Sequence, residues 1–182
     1  MNQKGFANII WVLIIVVLAG IVGYFVFTKQ QSSKGALATY QNKELGISFK
    51  HPSDLKVYQQ DENSILIKSD YKNPEHSAIE ISMNIKRTSF QRETKEQIEA
   101  KFKGLPEEAI APYAIIKQET KGNYELLQMK AGSQYYILSD KGTFYVGDTV
   151  DTFGWKEIFT KEGIYQTYRS KFDAIRNSIK ID

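Results

Sequence analysis

The chain contains few residues of the types that catalyse reactions or bind metal ions. It has two histidines, His51 and His76, and no cysteine. The lack of cysteine excludes disulfides, thiolate catalysis and zinc–thiolate sites. His51 directly precedes Pro52 at the end of a predicted strand, where packing is its expected role. His76 falls in a predicted loop, and a metal site there would need further ligands. We therefore predict no metal site.

The acidic and serine residues also lack the arrangements that catalysis requires. Asp148 and Asp151 could offer oxygen ligands to Ca²⁺, but their segment lacks the glycine and the distal glutamate of an EF-hand loop. A solvated loop is favoured there. Glu107 and Glu108 are adjacent and are better explained as charges at the start of a helix. The chain has no Gly-x-Ser-x-Gly motif and no phosphate-binding glycine loop. We predict no catalytic residues and no cofactor.

Tyrosine is the residue type that stands out, with 11 copies in the chain. Tyr135, Tyr136 and Tyr145 fall within a series of predicted strands. Cross-strand aromatic pairs explain most of this enrichment. The alternative is that these three side chains form a surface for a protein partner, and we call them the candidate partner face.

These residues follow an N-terminal stretch that predicts a membrane-spanning helix. Residues 6–27 contain only one strongly polar side chain, Asn8. As a helix the stretch would be about 33 Å long at ~1.5 Å per residue, against a hydrocarbon core of about 30 Å. A cleaved signal peptide is the alternative, but its apolar region is shorter, at about 7–15 residues. Ala19 and Gly23 have the spacing of small residues that pack two membrane helices together.

The charge distribution supports this organisation. Of 24 basic residues, Lys4, Lys29 and Lys34 are the only ones before Tyr40, which leaves 21 basic against 21 acidic residues in the remainder. The excess positive charge therefore flanks the apolar stretch, where anionic lipid headgroups attract it. A neutral remainder gives no indication of nucleic-acid binding. We predict a cytoplasmic leader (residues 1–5), a membrane helix (6–27), a flexible linker (28–39) and an extracytoplasmic domain (40–182).

Hydrophobic periodicity predicts that this domain contains both strands and helices. Residues 79–85 alternate apolar and polar side chains, as in a strand with one buried face. Thr94 and Gln97 have the spacing of a helix capping box. Four strand-like segments between residues 113 and 147 are separated by short turns, which predicts an antiparallel meander. An apolar stripe over residues 164–178 predicts a final helix. We expect an α+β fold in which helices cover an antiparallel sheet.

Both ends of the domain resemble PsbP-like domains. After Tyr40, residues 45–55 (LGISFKHPSDL) are similar to the opening "Y…GFSFKYPSDW" of that family, with Leu55 in place of the tryptophan. Residues 172–181 (FDAIRNSIKI) are similar to its closing "F..I..SFKF". The resemblance implies an α/β/α sandwich. It also implies a non-enzymatic role, since the best-known member is an extrinsic subunit on the lumenal side of a photosynthetic complex. It brings no catalytic residues with it.

A second resemblance concerns the leader alone. Lys4-Gly5-Phe6 is similar to the cleavage junction of type IV pilin-like proteins, although Ile10 stands where those proteins have a glutamate. The sequence therefore favours a membrane-anchored, extracytoplasmic binding or assembly module whose partner is another membrane or envelope protein. Two alternatives remain. One is an exported hydrolase or metal-dependent enzyme with an unrecognised site, and the other is a pilin-like surface subunit.

Overall fold

The computed structural model describes residues 36–73, 79–152 and 155–182, and Leu37–Asp182 forms one compact unit. Within the described ranges the strands are β1 (Leu37–Asn42), β2 (Ile47–Pro52), β3 (Leu55–Asp61), β4 (Ser64–Ser69), β5 (Ser82–Ser89), β6 (Ile115–Lys121), β7 (Tyr124–Met129), β8 (Tyr135–Ser139), β9 (Gly142–Asp148) and β10 (Lys180–Ile181). The helices are α1 (Lys95–Ala100), α2 (Glu107–Ile110), α3 (Trp155–Lys161) and α4 (Tyr165–Ser178), with a 3-10 turn at Ala111–Tyr113.

The strands form two antiparallel sheets, so the predicted α/β/α sandwich around one sheet is wrong. The large sheet has the order β3-β4-β5-β9-β8-β7-β6, and the small sheet has the order β1-β2-β10. Strands account for 43% and helices for 24% of the described residues. These helices are too short and too few to form layers. The physical reason for the second sheet is that β2 pairs with β1 and with the C-terminal β10 instead of joining the large sheet.

The predicted meander is confirmed, because β6, β7, β8 and β9 are successive antiparallel neighbours. The turn between β8 and β9 requires Gly142. Its φ is 121°, which L-residues rarely adopt. A Cβ at this position would also overlap the carbonyl oxygen of Ser89. The last turn of the meander, between β8 and β9, therefore lies directly against the end of β5.

The main core lies on one face of the large sheet, which we call the inner face. Ile67, Ile85 and Val146 are buried there, and in β5 the buried Met83 and Ile85 alternate with less buried residues, in agreement with the period of two in the sequence. The predicted final helix is confirmed as α4. It packs Phe172 and Ile175, both fully buried, into the same core. The small sheet contributes further buried side chains to it.

The opposite, outer face of the large sheet is covered over only part of its width. Ile98 of α1 packs there against Leu127 and Tyr136 in a second, smaller core. The capping box of Thr94 and Gln97 is confirmed at the start of α1. α1 packs over β7 and β8, whereas Tyr58 and Leu66, on the outer sides of β3 and β4, belong to neither core of the described residues. This uncovered part of the sheet positions the candidate site described below.

The predicted membrane helix, residues 6–27, lies outside the described residues, as do Ala19 and Gly23. Among the residues that the structure describes, no helix has the length and hydrophobicity needed to cross a membrane. β1 begins at Leu37, three residues before the predicted start of the domain. Its first residues pair with the end of β2, Leu37 with Pro52 and Ala38 with His51.

Candidate functional site

The three tyrosines of the candidate partner face do not lie on one surface. Tyr136 and Tyr145 are directly opposite each other on β8 and β9, and their rings form an edge-to-face pair with centroids 5.5 Å apart. Both point to the outer face, where burial raises the pKa of Tyr145 to about 12. Tyr135 points to the inner face, and the guanidinium of Arg176 lies 5.2 Å from its ring centroid. These tyrosines therefore contribute mainly to packing.

The two aspartates considered as calcium ligands are instead bound to arginines of α4. Asp148 forms a buried ion pair with Arg176, and Asp151 forms one with Arg169. Both arginines also contact Asp173 on their own helix. We call these five residues the Asp–Arg network. It joins the end of β9 and the residues that follow it to α4, so the carboxylates of Asp148 and Asp151 are both paired with arginines.

The surroundings of the network shift the pKa of Asp148 and that of the neighbouring Tyr165. Burial raises the pKa of Asp148, and attraction to Arg176 offsets part of that rise. The hydroxyl of Tyr165 donates a hydrogen bond to Asp151 at 2.6 Å, and burial together with this bond raises the pKa of Tyr165 to about 12. A protonated tyrosine therefore satisfies one oxygen of Asp151 at every ordinary pH.

The remaining predicted positions also have structural surroundings. His51 lies at the end of β2, where its Nδ1 is 3.0 Å from the carbonyl oxygen of Pro52. Glu107 and Glu108 are exposed in the first turn of the short helix α2, as expected for helix-start charges. His76 lies outside the described residues. Within the described part of the chain, no group of three or more histidine, aspartate or glutamate residues is placed to bind a metal ion.

The structure shows a site that our sequence analysis did not predict, an open cleft of about 760 Å³ on the outer side of β3 and β4. We call it the outer cleft. Tyr58 and Leu66 are paired residues of the two strands, and they form its apolar part. The side chains that line it include Tyr58, Gln60, Leu66, Lys68, Lys72 and Glu80. Tyr58 is 46% exposed although it is a large aromatic residue.

The rim of the outer cleft carries charges of both signs. Lys68 and Glu80 form an ion pair across its mouth. Lys56 and Asp70 form another beside it, with the amine and carboxylate 2.8 Å apart. Both pairs are exposed, and such pairs contribute little to stability. An aromatic and aliphatic centre with a mixed polar rim is the composition that protein interfaces favour.

The wall of the outer cleft is linked by hydrogen bonds to α4 and to Glu162, the residue that follows α3. The hydroxyl of Tyr71 donates to Glu162, and the side-chain amide of Asn73 donates to the same carboxylate at 2.6 Å. Ser69 donates to the hydroxyl of Tyr168 at 2.8 Å. Burial and the contact with Glu162 raise the pKa of Tyr71 to about 12, so it stays protonated. These hydrogen bonds connect the wall of the cleft to the C-terminal part of the chain.

The sequence contained one signal for this site. Leu55 and Val57 alternate with Lys56 and Tyr58, so the large aromatic residue falls on the strand face expected to be polar. An aromatic residue on that face marks a surface contact or a second core, and periodicity alone does not distinguish the two.

Comparison with family models gives no match for this chain. Comparison with curated proteins gives none either.

Proposed function

We propose that this protein is a non-catalytic binding module that holds a membrane or envelope protein in the outer cleft. The observation that carries the proposal is the outer side of β3 and β4, which no helix of the described residues covers. There Tyr58 and Leu66 expose apolar surface inside a rim of mixed charge. Large aromatic residues at the centre of such a surface contribute most of the binding energy in protein complexes.

The sequence supports a location for this activity. Residues 6–27 have the length and hydrophobicity of a membrane helix, and the positive charge of the chain is concentrated around them. We place the domain on the extracytoplasmic side, next to the bilayer. A short tether restricts it to within a few tens of ångströms of the membrane, at ~5–6 Å × √n for n linker residues. Confinement of this kind raises the effective concentration of a weak binding surface towards other membrane proteins.

A photo-crosslinking experiment in intact membranes tests the proposal. A photoreactive residue is placed at Lys72, which is exposed at the cleft, and in a matched variant at Lys103, which is exposed beyond α1. We expect one defined adduct from position 72 and none of that mass from position 103. A further substitution, Leu66→Glu, puts a charge on the floor of the cleft and is expected to remove the adduct.

The alternative of an exported enzyme is tested with the purified chain. It is assayed against esterase, phosphatase, peptidase and glycosidase substrates, with and without divalent metal ions. Reproducible turnover that a single substitution in the outer cleft removes would contradict a non-catalytic role.

In the photo-crosslinking experiment, equal crosslinking from positions 72 and 103 would contradict the assignment of the outer cleft as the binding site.

A further inference from the structure

β3 is an edge strand of the large sheet, and one side of its backbone has no neighbouring strand among the described residues. Four successive residues at its end, Tyr58 to Asp61, are exposed. An edge of this kind presents unpaired N–H and C=O groups, which can pair with another strand. Proteins usually protect such edges with charged side chains, bulges or covering segments.

The two edges of the large sheet are protected to different degrees. β6, at the far edge, has three charged residues along its length, Lys117, Glu119 and Lys121. β3 has two, Lys56 and Asp61, near its ends, and none from Val57 to Gln60. Both strands contain a register shift against their neighbours. The charge difference therefore identifies β3 as the edge that is better suited to pairing.

The charges at the ends of β3 make the strand complementary to itself. Its register against β4 shifts between Gln59 and Asp61, so Gln60 is an extra residue without a partner on β4. With Gln60 left out of the count, Lys56 is two places before Tyr58 and Asp61 is two places after it. In an antiparallel pair related by a twofold axis at Tyr58, each Lys56 lies opposite the Asp61 of the other copy.

We propose that two copies of this chain associate through their β3 strands, antiparallel about a twofold axis at Tyr58. The arrangement pairs Val57 with Gln59 and brings the two Tyr58 rings together, in addition to the two ion pairs. The present partner of Lys56 is Asp70, and that exposed surface pair is a weak competitor. The contact is isologous, so it closes at two copies and does not propagate.

The pairing would also enlarge the binding surface. Because Tyr58 lines the outer cleft, the clefts of the two copies meet at the twofold axis and form one continuous groove. Pairing through β3 does not require a bound partner. Failure of the dimer therefore leaves the photo-crosslinking test at Lys72 unaffected.

Disulfide trapping tests the dimer in the full chain, in its own membranes. The chain has no cysteine, so a single introduced cysteine reports on one position only. Directly opposed residues of antiparallel strands have Cα atoms about 4.5–5.5 Å apart, within the range that a disulfide spans. We expect Tyr58→Cys to form a disulfide-linked dimer under mild oxidation. The matched control is Ile116→Cys, on the far edge strand and 58% exposed, which is expected to stay monomeric.

Charge reversal tests the register. In the Tyr58→Cys background, Lys56→Glu places two carboxylates opposite each other at each end and is expected to slow crosslinking several-fold. Adding Asp61→Lys restores the opposite charges and is expected to restore the rate. Crosslinking of Tyr58→Cys no faster than that of Ile116→Cys would overturn the proposal. A crosslinking rate that does not change on charge reversal would also overturn it, as would an adduct to a different protein in place of the dimer.

Discussion

Removal of Arg176 should destabilise the fold far more than removal of a surface cation from the same helix. Its side chain is 6% exposed, and that of its partner Asp148 is fully buried. Arg176→Met leaves the carboxylate of Asp148 buried without its cation, which typically costs about 3–5 kcal/mol. For a domain of this size, that loss lowers the melting temperature by roughly 10 °C. The control is Lys171→Met, which breaks an exposed pair with Asp54 and should cost below about 1 kcal/mol.

The stability of Arg176→Met should also depend on pH in a defined direction. Burial already raises the pKa of Asp148 above its ordinary value of 3.8, and loss of Arg176 raises it further. The folded state then binds a proton more readily than the unfolded state. The stability that this proton contributes is complete below about pH 3.8 and is lost as pH rises through the folded-state pKa. The deficit of the variant against the wild type should therefore be largest at pH 7 and decrease on acidification.

Urea denaturation of residues 36–182 at several pH values measures both effects. The double variant Asp148→Leu/Arg176→Met removes both charges and should recover much of the lost stability. A loss below about 1 kcal/mol for Arg176→Met, equal to that of the surface control, would refute the reasoning that the pair is effectively desolvated. A deficit that does not change with pH would show that the buried carboxylate of Asp148 finds another cation in the variant.

Two further predictions concern the core and the orientation. Ile175→Asp puts an unpaired charge in the core beside Phe172 and should abolish cooperative unfolding, because the cost of several kcal/mol is comparable with a total stability of about 5–15 kcal/mol. An unchanged melting curve would show that α4 is not docked. Protease treatment of intact spheroplasts should digest residues 40–182, as expected for an extracytoplasmic domain, and protection until lysis would contradict that orientation.

Local patterns in the sequence predicted several elements correctly. The capping box of Thr94 and Gln97 is formed within four residues, so its geometry depends little on the rest of the chain. The meander from β6 to β9 joins neighbouring segments through short turns, and α4 carries its own apolar stripe. In each case the interactions that form the element join residues that are close in sequence, so the hydrophobic periodicity of that segment predicts the element.

The pairing of distant segments was not predictable in the same way. β2 pairs with β10, where Ile47 lies opposite Ile181 across almost the whole domain. Nothing local to either segment indicates this pairing, because both are short apolar strands that would fit in one sheet as well as in two. The expectation of a single covered sheet was wrong for that reason.

The candidate site shows the same division. The sequence by itself determined that Asp148, Asp151 and the tyrosines of the candidate partner face belong to no recognisable catalytic or metal-binding pattern. Only the tertiary structure decided what those residues contact. It places Asp148 and Asp151 against arginines of α4, separates Tyr135 from Tyr136, and leaves Tyr58 46% exposed, outside both cores of the described residues. The physical reason is that strand periodicity specifies the face of a side chain, whereas its neighbours on that face depend on strand order and on contacts between distant segments.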